Sequence, residues 1–186
     1  MKCLYTLIPL VPLSLVLLLG GCMGVFHSGN LPKEDPRSDL SLQAALNLEL
    51  IQLDMALYHQ VCLKVFEGNV LLAGRVPSKE LHTKLISTTR SIPGIKKVFD
   101  NTTIGGSRDM SAYLSDAWKS TQIASKIFAN NHLLPDNYAV ETVDDVVYLL
   151  GRSPNVKVRQ EVIDIARRLE GVKKVISYIE IENPTS

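Results

Sequence analysis

The chain is short of cysteine, of aromatic side chains and of net charge, and each shortage excludes something. Three cysteines, Cys3, Cys22 and Cys62, are too few for a disulfide framework. Cys62 sits in an apolar run, where a free thiol behaves as a small buried hydrophobe. Twenty basic side chains face nineteen acidic ones. That balance leaves no global basic field for nucleic acid or for bulk anionic membrane, so any anion binding has to come from a local patch. The four histidines, His27, His59, His82 and His132, lie far apart without the spacing of metal ligands, and there is no Gly-x-Ser-x-Gly and no phosphate-cradling glycine-rich loop. We expect no metal, no cofactor and no enzymatic activity. Aromatic residues make up 6% of the chain and tryptophan occurs once, at Trp118. A single indole invites the question of what it is for.

Only one apolar run is long, and it comes first. Leu4 to Leu19 is uncharged and follows Lys2. It is shorter than the roughly 20 residues of a comfortable membrane span and suits the h-region of a secretory signal. It closes on Leu19-Gly20-Gly21-Cys22, which resembles a bacterial lipobox: a thiol to take the lipid, preceded by small residues that admit the peptidase. Residues 1–21 are therefore expected to be a lipoprotein signal peptide and Cys22 the lipidated N-terminus. Met23 rather than aspartate after the cysteine implies sorting to the outer membrane, facing the periplasm. Loss of Lys2 leaves nineteen basic and nineteen acidic side chains. Residues 22–38, rich in Gly, Ser, Asn and Pro, read as a flexible tether.

The rest of the chain repeats itself. Gly94-Ile-Lys-Lys-Val98 returns as Gly171-Val-Lys-Lys-Val175, 77 residues later. The same offset carries Ser38-Asp39 onto Ser115-Asp116, Gly74-Arg75 onto Gly151-Arg152 and Pro77 onto Pro154. Aligned without a gap, 68–104 and 145–181 agree at twelve of thirty-seven positions, where chance gives roughly two or three, so the repeat has to be recognised before any fold is assigned. Two copies suggest two small domains of one fold, 39–105 and 116–182, joined by a linker at 106–115.

Each copy reads as α-β-β-α-β. Ser38 and Ser115 suit an N-cap, and the aspartate after each suits the first turn of a helix. Leu42, Leu46, Leu50, Leu53 and Leu57 then recur at helical spacing, and Ile123 and Ile127 keep that phase in the second copy. Two strand-like runs follow, turning at Glu67-Gly68 and at Asp144-Asp145. A second helix after Pro77 or Pro154 ends at Gly94 or Gly171, where glycine fits a C-cap, and a last strand closes the unit. The expected class is α+β: two tandem domains, each a three-stranded mixed sheet with two helices on one face. The Lys-Lys pairs are expected to be solvated charges beside a turn.

An opening aspartate, an apolar helix, a Val-x-Leu-x-Gly strand and a helix ending in Gly-Val-x-x-Val together resemble the BON domain. Here these are Asp39, Val70 to Gly74 and Gly94 to Val98, then Asp116, Val147 to Gly151 and Gly171 to Val175. A lipobox ahead of two such units is similar to the tandem BON-domain outer-membrane lipoproteins of the DolP type. The resemblance implies a non-enzymatic envelope protein that binds anionic, phosphatidylglycerol-like phospholipid through its second domain and supports outer-membrane integrity. It also implies that Trp118, two residues after Asp116, meets the lipid. Lys119 and Gln122, close to it on the same helix, are expected to join that contact. Lys119 departs from the family, which usually has an apolar residue there, and so does the Asp144-Asp145 turn.

Helical phase speaks to the same tryptophan. At 100° per residue Trp118 lies about 140° from Ile123 and 180° from Ile127, so it faces outward if they face the core. An indole suits a bilayer interface, and it equally suits a contact between the two domains. The alternative function is a protein-interaction module docking on another envelope component, for which the apolar Leu48 and Met55 offer a surface.

Overall fold

In the computed structural model the described residues are 38–182. The expected signal peptide, Cys22 and all but the last residue of the tether lie outside them. Helix α1 (Asp39–Leu53) is followed by α2 (Met55–Gln60), β1 (Val61–Phe66), β2 (Asn69–Val76), α3 (Lys79–Ser91) and β3 (Lys97–Ile104). The second half runs α4 (Met110–Phe128), a single turn of 3-10 helix at Pro135–Asn137, β4 (Tyr138–Val143), β5 (Val146–Ser153), α5 (Val156–Arg167) and β6 (Lys174–Ile181). The class is α+β, with two three-stranded mixed sheets ordered β1-β2-β3 and β4-β5-β6. In each, the hairpin is antiparallel and the crossover strand parallel to the central one.

The 77-residue offset holds at the level of single strand pairs. Val61 faces Gly74 as Tyr138 faces Gly151, and Gly74 faces Thr102 as Gly151 faces Ile179. Both glycines hold positive φ, and a methyl group on either would overlap a carbonyl oxygen, of Gln60 or of Asn137. The Gly-Arg of each copy is there because the neighbouring backbone leaves no room for a Cβ.

Two boundaries differ from the sequence expectation. Helix α1 stops at Leu53, because Asp54 is extended, and Leu57 reaches the core from α2. Helix α4 begins at Met110, not at Ser115, so the expected linker gives up its last six residues to the helix. Met-Ser-Ala-Tyr-Leu-Ser contains no glycine or proline to stop it. The aspartates also do more than favour a helix dipole. Asp39 accepts the backbone N–H groups of Glu67 and Gly68 at 2.5 and 2.9 Å. Asp116 accepts those of Asp144 and Asp145 at 2.7 and 3.1 Å. Each carboxylate thus clasps its own hairpin turn, whose two central residues both have positive φ.

The repeated Gly-x-Lys-Lys-Val closes the same clasp. After Gly94 and Gly171 turn the chain at positive φ, the N–H of Lys96 donates to the Gly68 carbonyl and that of Lys173 to the Asp145 carbonyl. The phrase is repeated because it ties the start of the last strand to the hairpin.

Each sheet buries both faces. Towards the helices, Val70, Leu72 and Val76 pack on Leu42, Leu46, Leu50 and Leu85, and Val147 and Leu149 pack on Ile123, Ile127 and Val162. The other faces meet each other: Cys62, Leu71 and Ala73 of the first unit pack on Ala139, Val143, Tyr148 and Leu150 of the second. Cys62 is buried in that contact. The molecule is a four-layer stack, helices–sheet–sheet–helices, and its helical layers point in opposite directions.

Candidate functional surface

On α4 the core side consists of Asp116, Lys119, Ile123 and Ile127, all buried. The opposite side is apolar as well. Met110, Leu114, Trp118 and Phe128 leave more than half of their surface in water, and Trp118 is 65% exposed. Together with Thr121 and Ser125 they fall within about 80° of arc at 100° per residue. The stripe runs for about 27 Å at 1.5 Å per residue. An ordinary surface helix keeps its outward side polar, and this one does not. Being in the outer helical layer, Trp118 takes no part in the sheet-to-sheet contact.

The other two expected contact residues are placed differently. Gln122 is half-buried at the margin of the stripe. Lys119 points inward: it is 8% exposed, and its ammonium donates to Asp145 Oδ1 at 2.6 Å and to Ser115 Oγ at 2.8 Å. A lysine can sit there because Asp145, the second turn residue, brings a carboxylate where Gly68 stands in the first unit. In the first unit Leu42 holds the place of Lys119, 77 residues earlier.

Sequence reading missed the network around that lysine. The side chain of Arg108, in the remaining linker, is buried and bonded to Asp116, and it donates to Asp144 Oδ1 at 2.9 Å. Arg75 from the first domain reaches Asp144 Oδ2 at 3.2 Å, and Lys173 reaches Asp145 Oδ2 at 2.8 Å. The hydrogen bonds from Lys119 and Lys173 hold the Asp145 carboxyl below its ordinary value of 3.8. The signal was present in the second copy alone: an Asp-Asp turn, a lysine at a core position and an arginine in the linker.

Helix α1 has its own outward apolar side at Leu40 and Leu48, followed by Met55 on α2. It carries no basic residue. Among the described residues no helix is long and apolar enough to cross a membrane, and no cluster of His, Cys, Asp or Glu could hold a metal ion.

Comparison with known proteins agrees with this architecture. The chain is 30% identical over 148 residues to a protein of Anaplasma centrale encoded in the gshII 5' region, covering 78% of this chain and 95% of that one. It is 27% identical over 115 residues to the outer membrane lipoprotein DolP of Haemophilus influenzae, covering 62% of this chain and 59% of DolP. It is 25% identical over 114 residues to the 21 kDa hemolysin of Actinobacillus pleuropneumoniae, covering 61% of this chain and 58% of that protein. The model of the BON domain matches twice, at residues 39–106 and 115–183, once for each α-β-β-α-β unit. With both halves matched, the chain belongs to the BON-domain family.

Proposed function

We propose that this is a non-enzymatic protein of the bacterial envelope, anchored through a lipid on Cys22 to the periplasmic side of the outer membrane. Its second domain binds an anionic phospholipid surface through the outward stripe of α4 and thereby supports outer-membrane integrity. The observation that carries the reading is that stripe. Four large apolar side chains, one of them the only tryptophan, stand in water along one side of a 19-residue helix, and an exposed patch of that kind marks an interaction surface. Trp118 anchors the contact, Gln122 lies at its margin, and Lys119 supports the helix from beneath rather than reaching out. The outer-membrane assignment draws on the lipobox and on the DolP relative. Binding of the mature chain to phosphatidylglycerol vesicles is the test. Trp118→Ala should weaken it by about ten-fold, the loss of roughly 1.4 kcal/mol, while far-UV circular dichroism stays unchanged. Unaltered affinity would overturn the reading.

One observation favours a second reading, a protein-docking module. The outward side of α1 is apolar and lacks cations, which suits another protein better than an anionic bilayer. Because the two helical layers point apart, both readings fit one molecule. Crosslinking in cells from position 48, set against position 118, separates them: a protein adduct at 118 would favour docking over lipid.

A further inference from the structure

Beside the N-terminal half of the α4 stripe lies an open cleft of about 490 Å³, lined by Arg75, Ser111, Ser115, Lys173 and the three aspartates Asp116, Asp144 and Asp145. That volume falls within the range of small-molecule sites. The carboxylates do not make it an acidic cleft, because four cations serve three of them. Arg75 and Arg108 share Asp144, Lys119 and Lys173 share Asp145, and Asp116 takes Arg108 and Lys119. One positive charge is left over. The two cations nearest water are the ones that line the cleft, Lys173 with 74% and Arg75 with 39% of the side chain exposed. Their hydrogen bonds to aspartate leave further N–H donors on both, since an ammonium has three and a guanidinium five.

We propose that this cleft binds a phosphate group, held by Lys173 and Arg75 with the hydroxyls of Ser111 and Ser115 as further donors. Helical phase puts the cleft next to the lipid-facing stripe: Ser111 lies about 20° and Ser115 about 60° around α4 from Trp118. A phospholipid whose acyl region meets the stripe would present its phosphate at this depth, so the proposal deepens the lipid reading and rests on it. Arg75 comes from the first domain, which makes the site a joint product of both halves. The molecule holds its own control. The equivalent cleft of the first unit is lined by Asp39, Glu67 and Lys96, with Leu42 where the second unit has Lys119. Among the described residues it keeps a hydroxyl at Ser38, in the place of Ser115, and a cation on Glu67, Arg152, in the place of Arg75. What it lacks is the buried ammonium that Lys119 sets behind the turn carboxylate.

The experiment has two arms on the mature chain. In the first, inorganic phosphate is titrated while the backbone amide resonances of Ser111, Ser115, Asp145 and Lys173 are followed by NMR. Saturable shifts are expected, and they should be lost in Lys173→Gln but kept in Lys96→Gln, its counterpart in the first unit. In the second arm, Lys173→Gln should lower affinity for phosphatidylglycerol vesicles about five-fold, the factor expected for one cation near an anionic surface, with Lys173→Arg retaining most of it. Shifts with phosphate but no vesicle effect would support the site and assign it to free phosphate. Shifts with phosphate in a chain that binds no vesicles would keep the site and sink the lipid reading. Vesicle binding that depends on Trp118 but not on Lys173, with no saturable phosphate shifts, would overturn the site and leave the lipid reading standing.

Discussion

Asp39 and Asp116 hold the same place in the two units and make the same bidentate grip on a hairpin turn, yet they carry unequal loads. Asp39 is half-buried and satisfies two turn N–H groups. Asp116 is buried and also pairs with Arg108, whose side chain is 6% exposed, and with Lys119. Removing Asp39 leaves two donors that water can reach, a cost of about 1–2 kcal/mol. Removing Asp116 leaves buried cations short of a partner, which costs about 3–5 kcal/mol. Urea denaturation should therefore place Asp116→Ala well below Asp39→Ala; equal midpoints would refute the unequal roles. Acid adds a further check. Lys119 and Lys173 depress Asp145, and hydrogen bonds from Thr102 and His82 depress Asp100 against the opposing effect of its burial. A depressed carboxyl contributes stability above its ordinary value of 3.8 and loses it as pH falls through the folded value. Stability should thus decline below about pH 4 on account of these groups, and Lys173→Gln should soften that decline by raising Asp145 towards 3.8.

Among the elements, periodicity revealed the strands and most of the helices, because burial on one side writes a pattern into the residues themselves. The repeat fixed which segments correspond, and both hairpins and both crossovers follow it in identical register. What stayed hidden depends on partners far along the chain. Ser115 has the chemistry of an N-cap, but nothing before it stops a helix, and α4 runs back to Met110. Lys119 looked like a surface charge because the carboxylate that draws it inward lies 26 residues away. Met110 and Leu114 went unnoticed as surface groups because they fell within the expected linker. The glycines are the sharpest test of the shared register. Gly74→Ala and Gly151→Ala each push a methyl group into backbone of the preceding segment at positive φ. Each should cost about 2–3 kcal/mol, measured by thermal or chemical unfolding. A neutral result at either position would mean that the strand start can move aside.

At the scale of the whole molecule, the contact between the sheets has a pseudo-two-fold design that two separate domains would not need. Arg75 pairs with Asp144, and 77 residues on from Arg75 and back from Asp144, Arg152 pairs with Glu67 at 3.1 Å. Near the axis Tyr178 stacks on Phe99, with ring centroids 4.0 Å apart, and its hydroxyl bonds with Asn101, the residue at its own place in the first unit. Between these lie Leu71, Tyr148 and Leu150, all but fully buried. The continuous apolar runs at Val70–Ala73 and Val146–Leu150 carried this second buried face in the sequence, since a strand buried on both sides shows no alternation. A surface of this kind couples the units, so the chain should unfold in a single cooperative transition. Tyr178→Ala removes a stacked ring, worth about 0.5–1.5 kcal/mol beyond its buried area, together with its hydrogen bonds to Asn101. The variant should keep both α-β-β-α-β units but loosen their contact, which would appear as two resolved unfolding steps or a lower denaturant m-value. It should also move Arg75 relative to Lys173, so phosphate-induced shifts at Ser111 and Ser115 should weaken although Tyr178 lines no part of that cleft. A variant that unfolds as one step with an unchanged midpoint would show that the stacked pair does not hold the halves together.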